Sequence, residues 1–307
     1  MKISEDVLKS KGIPYVQKFS YGDIAKTSKN GKRHYETPDG RQVPSVTTVL
    51  SATKDMTHLH AWRKRVGAEK AQQITTESAN IGTVMHNSLE KHVKGIQRKP
   101  GSNLIHQKAH AMANVIIDNG LHDVSEVWGS EVSLYYPELY AGTTDLVGVY
   151  KGAPAIMDFK QARKLKKKEW VEDYFLQLVA YAEAHNKMFD TNIKHGQIFI
   201  CTQNNEFQTF EIDNYDKWVG QWYTKLEEYY KKIPPKGDKL SLLKDLDHKA
   251  IPRDSKCFII DILHQVYFRL GDSVTKYEFI ELCNVIIHIY HLVTEKMCSI
   301  LEEIIPK

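Results

Sequence analysis

With 307 residues, 42% of them hydrophobic and 26% charged, the chain can bury one sizeable core and a small second unit, and its composition excludes intrinsic disorder. The formal net charge of +4 fits an anionic partner without requiring one. The four cysteines, Cys201, Cys257, Cys283 and Cys298, contain no Cys-x-x-Cys pair, which argues against a zinc ribbon, and their low number favours a reducing compartment.

The N-terminus, Met-Lys-Ile-Ser-Glu-Asp, is charged where a signal peptide needs an apolar run. Residues 1–42 read as polar and turn-rich, with a turn at Thr37-Pro38-Asp39-Gly40. Pro44-Ser45-Val46-Thr47-Thr48-Val49-Leu50 then leads into helical patterning through Trp62-Arg63-Lys64-Arg65. Ile81, Val84, Met85, Leu89 and Val93 recur on a helical period and predict a helix over 79–94; a second is expected near 102–119. Strands are expected at 131–136, 143–150 and 155–159. A helix over 168–189 carries Trp170, Phe175, Leu178, Val179 and Phe189. A strand pair at 197–202 and 207–212 and an amphipathic helix at 214–232 follow, closed by a linker at 234–238. This order predicts an α/β fold with a central mixed sheet flanked by helices, occupying 1–235 with a helical elaboration near its N-terminus. Residues 241–307 differ: two largely apolar helices, 254–270 and 274–303, form a C-terminal extension. Such helices must bury against something, so self-association or a protein partner is open to them. The longest apolar stretch, 285–293, holds His288 and His291 and is too short to span a bilayer, so no membrane partner is expected.

The sharpest chemical signal lies on two neighbouring strands. Asp145 sits in Gly142-Thr143-Thr144-Asp145 and Asp158 in Ile156-Met157-Asp158-Phe159-Lys160, with Lys151-Gly152-Ala153-Pro154 between them. A two-residue loop at 151–152 sets Asp145 opposite Asp158, whereas a four-residue loop at 151–154 sets it opposite Lys160. Either even-length loop puts all three on one face, because strand side chains alternate with period 2. Two carboxylates across a strand pair stand roughly 5 Å apart and repel by about 3 kcal/mol at an effective dielectric near 20. A divalent cation held by aspartate oxygens relieves that repulsion, and a lysine beside it can orient water and stabilise phosphate charge. Upstream, His86 and Glu90 lie one helical turn apart; downstream, Gln177 and Tyr181 do the same.

In chain order, Gly82 with His86 and Glu90, Gly142 with Asp145, Asp158 with Lys160, and Gln177 with Tyr181 resemble the RecB-like branch of the PD-(D/E)XK nucleases. The Pro44–Leu50 stretch ahead of Trp62 is similar to mitochondrial genome maintenance exonucleases and their phage or bacterial relatives. The resemblance spans about 33–232 and implies a restriction-endonuclease-like core. It implies that His86, Asp145, Asp158 and the Phe159 main-chain carbonyl hold Mg²⁺, for which Mn²⁺ substitutes, with Lys160 as the catalytic lysine. Glu90 would support the centre, and Gln177 and Tyr181 the site and substrate backbone. The cysteine spacing argues against an iron–sulfur cluster. The expected substrate is DNA, single-stranded and degraded from an end. The segment Trp62, Arg63 and Arg65 offers an aromatic platform with phosphate contacts, and the basic run opening at Arg163 and Lys164 a backbone track; the run from Lys160 to Lys168 places six cations in nine positions. An endonuclease and a silent DNA-binding module are the alternatives. A bacterial or phage-infected cytoplasm is the expected compartment.

Overall fold

Residues 13–38 and 40–233 are described by the computed structural model. The linker at 234–238, the two C-terminal helices and Cys257, Cys283 and Cys298 lie outside these residues.

The chain enters through a segment that the sequence reading left without strands. Strands β1 (Ala25–Lys29), β2 (Lys32–Glu36) and β3 (Gln42–Pro44) form an antiparallel meander. Asn30 and Gly31 make its first turn, both with positive φ (53° and 70°), the geometry a two-residue hairpin needs. The strands are short and mostly polar, so alternation hardly shows. Their apolar side is Tyr35 and Val43, buried with Ile24 and Ala141.

Helix α1 (Val46–Thr53) begins where Ser45 caps it, its hydroxyl accepting from the Thr48 N–H at 3.0 Å. The Thr48 hydroxyl in turn donates to the Arg33 carbonyl at 2.8 Å. The Pro44–Leu50 stretch therefore ties the first helix to β2. Helix α2 (Thr57–Val66) buries no residue. Helix α3 (Ala68–Val93) starts eleven residues before the expected 79, since Ala71 is the one buried residue of its opening turns and gives no periodic signal. Helix α4 (Leu104–Gly120) is capped by Asn103, which accepts from the His106 N–H at 2.9 Å.

The central sheet runs β4 (Val124–Tyr136), β5 (Tyr140–Tyr150), β6 (Ala153–Ala162), β7 (His195–Thr202) and β8 (Phe207–Glu211) in that order. All its neighbours are antiparallel except β6 and β7, which helix α5 (Glu172–Phe189) connects. A mixed α/β fold was expected and is observed. Helices α3 and α4 bring Ile81, Met85, Leu89, Met112 and Ile116 against Leu146, Met157, Phe159 and Phe199 of the sheet. Helix α5 packs on β4, β6 and β7. Helix α6 (Tyr215–Lys232) sets Trp222 edge-on to Tyr140 at 4.9 Å and Trp218 against Phe175 at 5.0 Å. Among the described residues, no helix is long and apolar enough to cross a membrane.

One buried titratable group anchors the incoming chain to α5. His185 Nε2 lies 3.0 Å from the Tyr21 hydroxyl and Nδ1 lies 2.8 Å from the Thr191 hydroxyl, with Phe19 and Phe189 ringed around it. Burial pushes its pKa down to about 4. A depressed folded value means that the neutral form is favoured in the fold, so this stability is present above pH ~6.5 and lost as pH falls toward 4. The full shift corresponds to about 3 kcal/mol. Thermal melts should therefore fall more steeply between pH 6.5 and 4 for the wild-type chain than for His185→Gln; parallel curves would remove His185 from the account.

Candidate metal centre

The β5–β6 hairpin determines where the acids go. Lys151 and Gly152 both take positive φ (49° and 81°), so the turn has two residues. Pairing runs from Tyr150↔Ala153 to Leu146↔Met157, and one further step sets Asp145 across from Asp158. The four-residue loop is thereby excluded. Asp145 is 8% exposed and Asp158 2%.

Around this pair the structure gathers the side chains of His86, Lys160, Gln177 and Tyr181. The Phe159 N–H donates to Asp145 Oδ2 at 2.8 Å, and His86 of α3 brings Nδ1 to 3.2 Å from Asp145 Oδ1. Lys160 Nζ lies 2.5 Å from Asp158 Oδ2 and donates to Gln177 Oε1 at 3.0 Å, over the Tyr174 ring. Gln177 Nε2 donates to the Tyr181 hydroxyl at 3.3 Å. The close fit of Tyr181 explains Gly142: a Cβ there would stand 2.6 Å from the tyrosine ring. Six of the expected residues thus meet: His86, Asp145, Asp158, Lys160, Gln177 and Tyr181. Phe159 enters through its N–H. Glu90 departs from the expectation of support, because its carboxylate pairs with Lys94 at 2.5 Å, the next turn of its own helix.

Glu131 of β4 also reaches the centre, and the sequence reading had no place for it. Its Oε1 lies 3.9 Å from His86 Nδ1. One ligand atom each from His86, Glu131 and Asp145 fall within 4.8 Å of one another. That span suits ligands shared by one ion with bonds of roughly 2.0–2.6 Å.

The electrostatics point the same way. Burial pushes Asp158 up to about 6, and the charge on Asp145 adds to this against the pull of Lys160. Burial would also raise Asp145, but the charge and hydrogen bond of His86, with Lys160, outweigh it and hold the group below the usual carboxylate range. For His86 burial acts downward, yet Asp145 and Glu131 lift it to about 10. Lys160 is likewise held above its ordinary value, burial being outweighed by Asp158 and Asp145, so it remains an ammonium. Asp158 Oδ2 has its ion pair with Lys160 but no aligned hydrogen bond, although it is buried. Two buried carboxylates and Glu131, beside an imidazole, are a donor set that fits a divalent cation.

A groove of about 510 Å³ reaches Gln161, the chain neighbour of Lys160, while His86, Glu131, Asp145, Asp158 and Lys160 are not among its lining residues. Trp62, Arg163, Lys164, Lys166 and Trp170 line it. Arg63 and Arg65 of α2 are not among its lining residues, although their neighbour Trp62 is. Trp170 was expected within a helix over 168–189. It instead sits on a 3-10 turn (Lys168–Trp170) ahead of α5 and is 61% exposed.

The mixed sheet, its flanking helices and this set of side chains support a relationship to the PD-(D/E)XK-like nucleases. Mitochondrial genome maintenance exonuclease 1 of Mus musculus is 27% identical over 208 residues, covering 62% of this chain and 60% of that protein. Its counterpart in Homo sapiens is 26% identical over 211 residues, covering 62% of this chain and 59% of that one. The chain thus spans about 60% of the length of the curated relatives it matches. No protein-family model matches the chain. Among solved structures, the alkaline exonuclease of Laribacter hongkongensis aligns at 12% identity over 57% of this chain and 92% of that chain, with a TM-score of 0.26.

Proposed function

We propose that the chain is a metal-dependent deoxyribonuclease that hydrolyses phosphodiester bonds of single-stranded DNA from an end, using Mg²⁺ or, in its place, Mn²⁺. The observation that carries this reading is the meeting of His86, Asp145, Asp158 and Lys160 at one point of the sheet, on a strand whose next residue, Gln161, lines a basic, aromatic groove. His86, Asp145, Asp158 and the Phe159 carbonyl would hold the cation. When bound, such a cation supplies a nucleophile at neutral pH and neutralises charge on the phosphate and departing oxygen.

The chain's own residues do the rest. Lys160 would offer hydrogen bonds to a phosphate oxygen and position water. Gln177, fixed by Tyr181, holds Lys160 in place. Arg163, Lys164 and Lys166 would follow the DNA backbone, and Trp62 and Trp170 would stack bases. Arg63 and Arg65 would serve phosphates farther along the strand. Action from an end draws on the exonuclease names of the relatives.

The test is incubation with Mg²⁺ or Mn²⁺ and either linear or circular single-stranded DNA. Linear strands should shorten and circles should survive. Cut circles would replace the exonuclease reading with an endonuclease, and binding without cutting of either would leave a DNA-binding module.

A further inference from the structure

We infer that Glu131 is a further metal ligand, turned toward the centre by a left-handed residue in the middle of β4. The inference rests on the metal-dependent reading above.

Ser130 pairs with Leu146 and Val132 with Thr144, so Glu131 stands across from Asp145, just as Asp158 does on the other side. Asp145 is therefore flanked by an acid from each neighbouring strand. Glu131 takes φ +54° within a 13-residue strand, a conformation that side-chain-bearing residues rarely adopt there. Its side chain is 33% exposed and that of His86 27%, so an ion can reach both from solvent. An ion pair with His86 at 3.9 Å is too long and too open to account for such a backbone. A second observation is independent of Glu131: the buried Asp158 Oδ2, in the same centre, has its ion pair with Lys160 but no aligned hydrogen bond. Three carboxylates, Glu131, Asp145 and Asp158, share one lysine and one histidine. The ligand that balances them is a hard divalent cation, and the oxygen-rich set suits Mg²⁺ or Mn²⁺.

The experiment measures Mn²⁺ binding to the full chain by the electron paramagnetic resonance signal of the free ion. Glu131→Gln keeps the side-chain shape and should weaken Mn²⁺ binding on the order of 10–100-fold, the range seen when metal-supporting groups are removed. Asp145→Asn should weaken it at least as much. Glu131→Gly should match the Gln variant in affinity while the metal-free chain melts no lower than wild type, because glycine takes positive φ freely. Wild-type affinity in Glu131→Gln, with binding lost in Asp145→Asn, would overturn the role of Glu131 and leave the metal centre standing. A lower melting temperature in Glu131→Gly would make the residue structural and overturn it too. A wild-type chain that binds no Mn²⁺ would overturn the centre itself.

Discussion

Replacing Lys160 with alanine should lower kcat for DNA cleavage by on the order of 10²–10³-fold, the usual loss when one preorganised donor to a developing charge is removed. Its Nζ is held between Asp158 at 2.5 Å and Gln177 at 3.0 Å, so the ammonium is aimed before substrate arrives. DNA binding should stay within a few-fold, since the groove cations Arg163, Lys164 and Lys166 are untouched. The substitution has a second effect: it strips Asp158 of its counter-ion and favours its protonated form. Mn²⁺ affinity should therefore be measured beside cleavage, and kcat compared at saturating metal. A variant that cleaves at the wild-type rate would remove Lys160 from the mechanism.

Gly148→Ala should be the most damaging small substitution for the fold. Gly148 pairs with Val127, between two places where the β4–β5 register slips. A Cβ at 148 would stand 2.1 Å from the Glu126 carbonyl oxygen, and backbone cannot swing aside as a side chain can. Overpacking of ordinary cores costs roughly 1–3 kcal/mol, so about 3 kcal/mol is a fair minimum here. For a domain of this size that lowers Tm by roughly 6–12 °C. Gly220→Ala is the matched control: it is exposed on α6, nothing lies within 4 Å of its Cβ position, and alanine is the better helix former. Its melt should rise slightly. Equal melts for the two variants would show that the strands part more easily than their register suggests.

The hairpin was legible because a turn of known length fixes which residues face each other, and Lys151-Gly152 is a turn whose residues favour positive φ. The i, i+4 pair Gln177 and Tyr181 was legible for a similar reason, since helical spacing fixes a face. Glu90 had that same spacing from His86, but it had Lys94 one turn the other way, and a short local ion pair took it. Glu131 was not legible: its contribution depends on a backbone dihedral, and no spacing of residue types encodes that. The meander of β1 to β3 escaped because its strands hold five, five and three residues with little apolar alternation. Trp170 escaped because a helix over 168–189 begins four residues too early, which absorbed a groove residue into the helix.

Helix α5 has one property that its separate contacts conceal. Gln177, Tyr181, His185 and Phe189 recur every four residues and so form a single stripe along it. One end of the stripe grips the ammonium of Lys160; about 12 Å farther along, His185 grips Tyr21. A helix does not bend easily over two turns, so the stripe acts as a rod between Lys160 and the incoming chain. The anchoring of residues 19–21 and the aim of Lys160 are therefore two readings of the position of one rigid body.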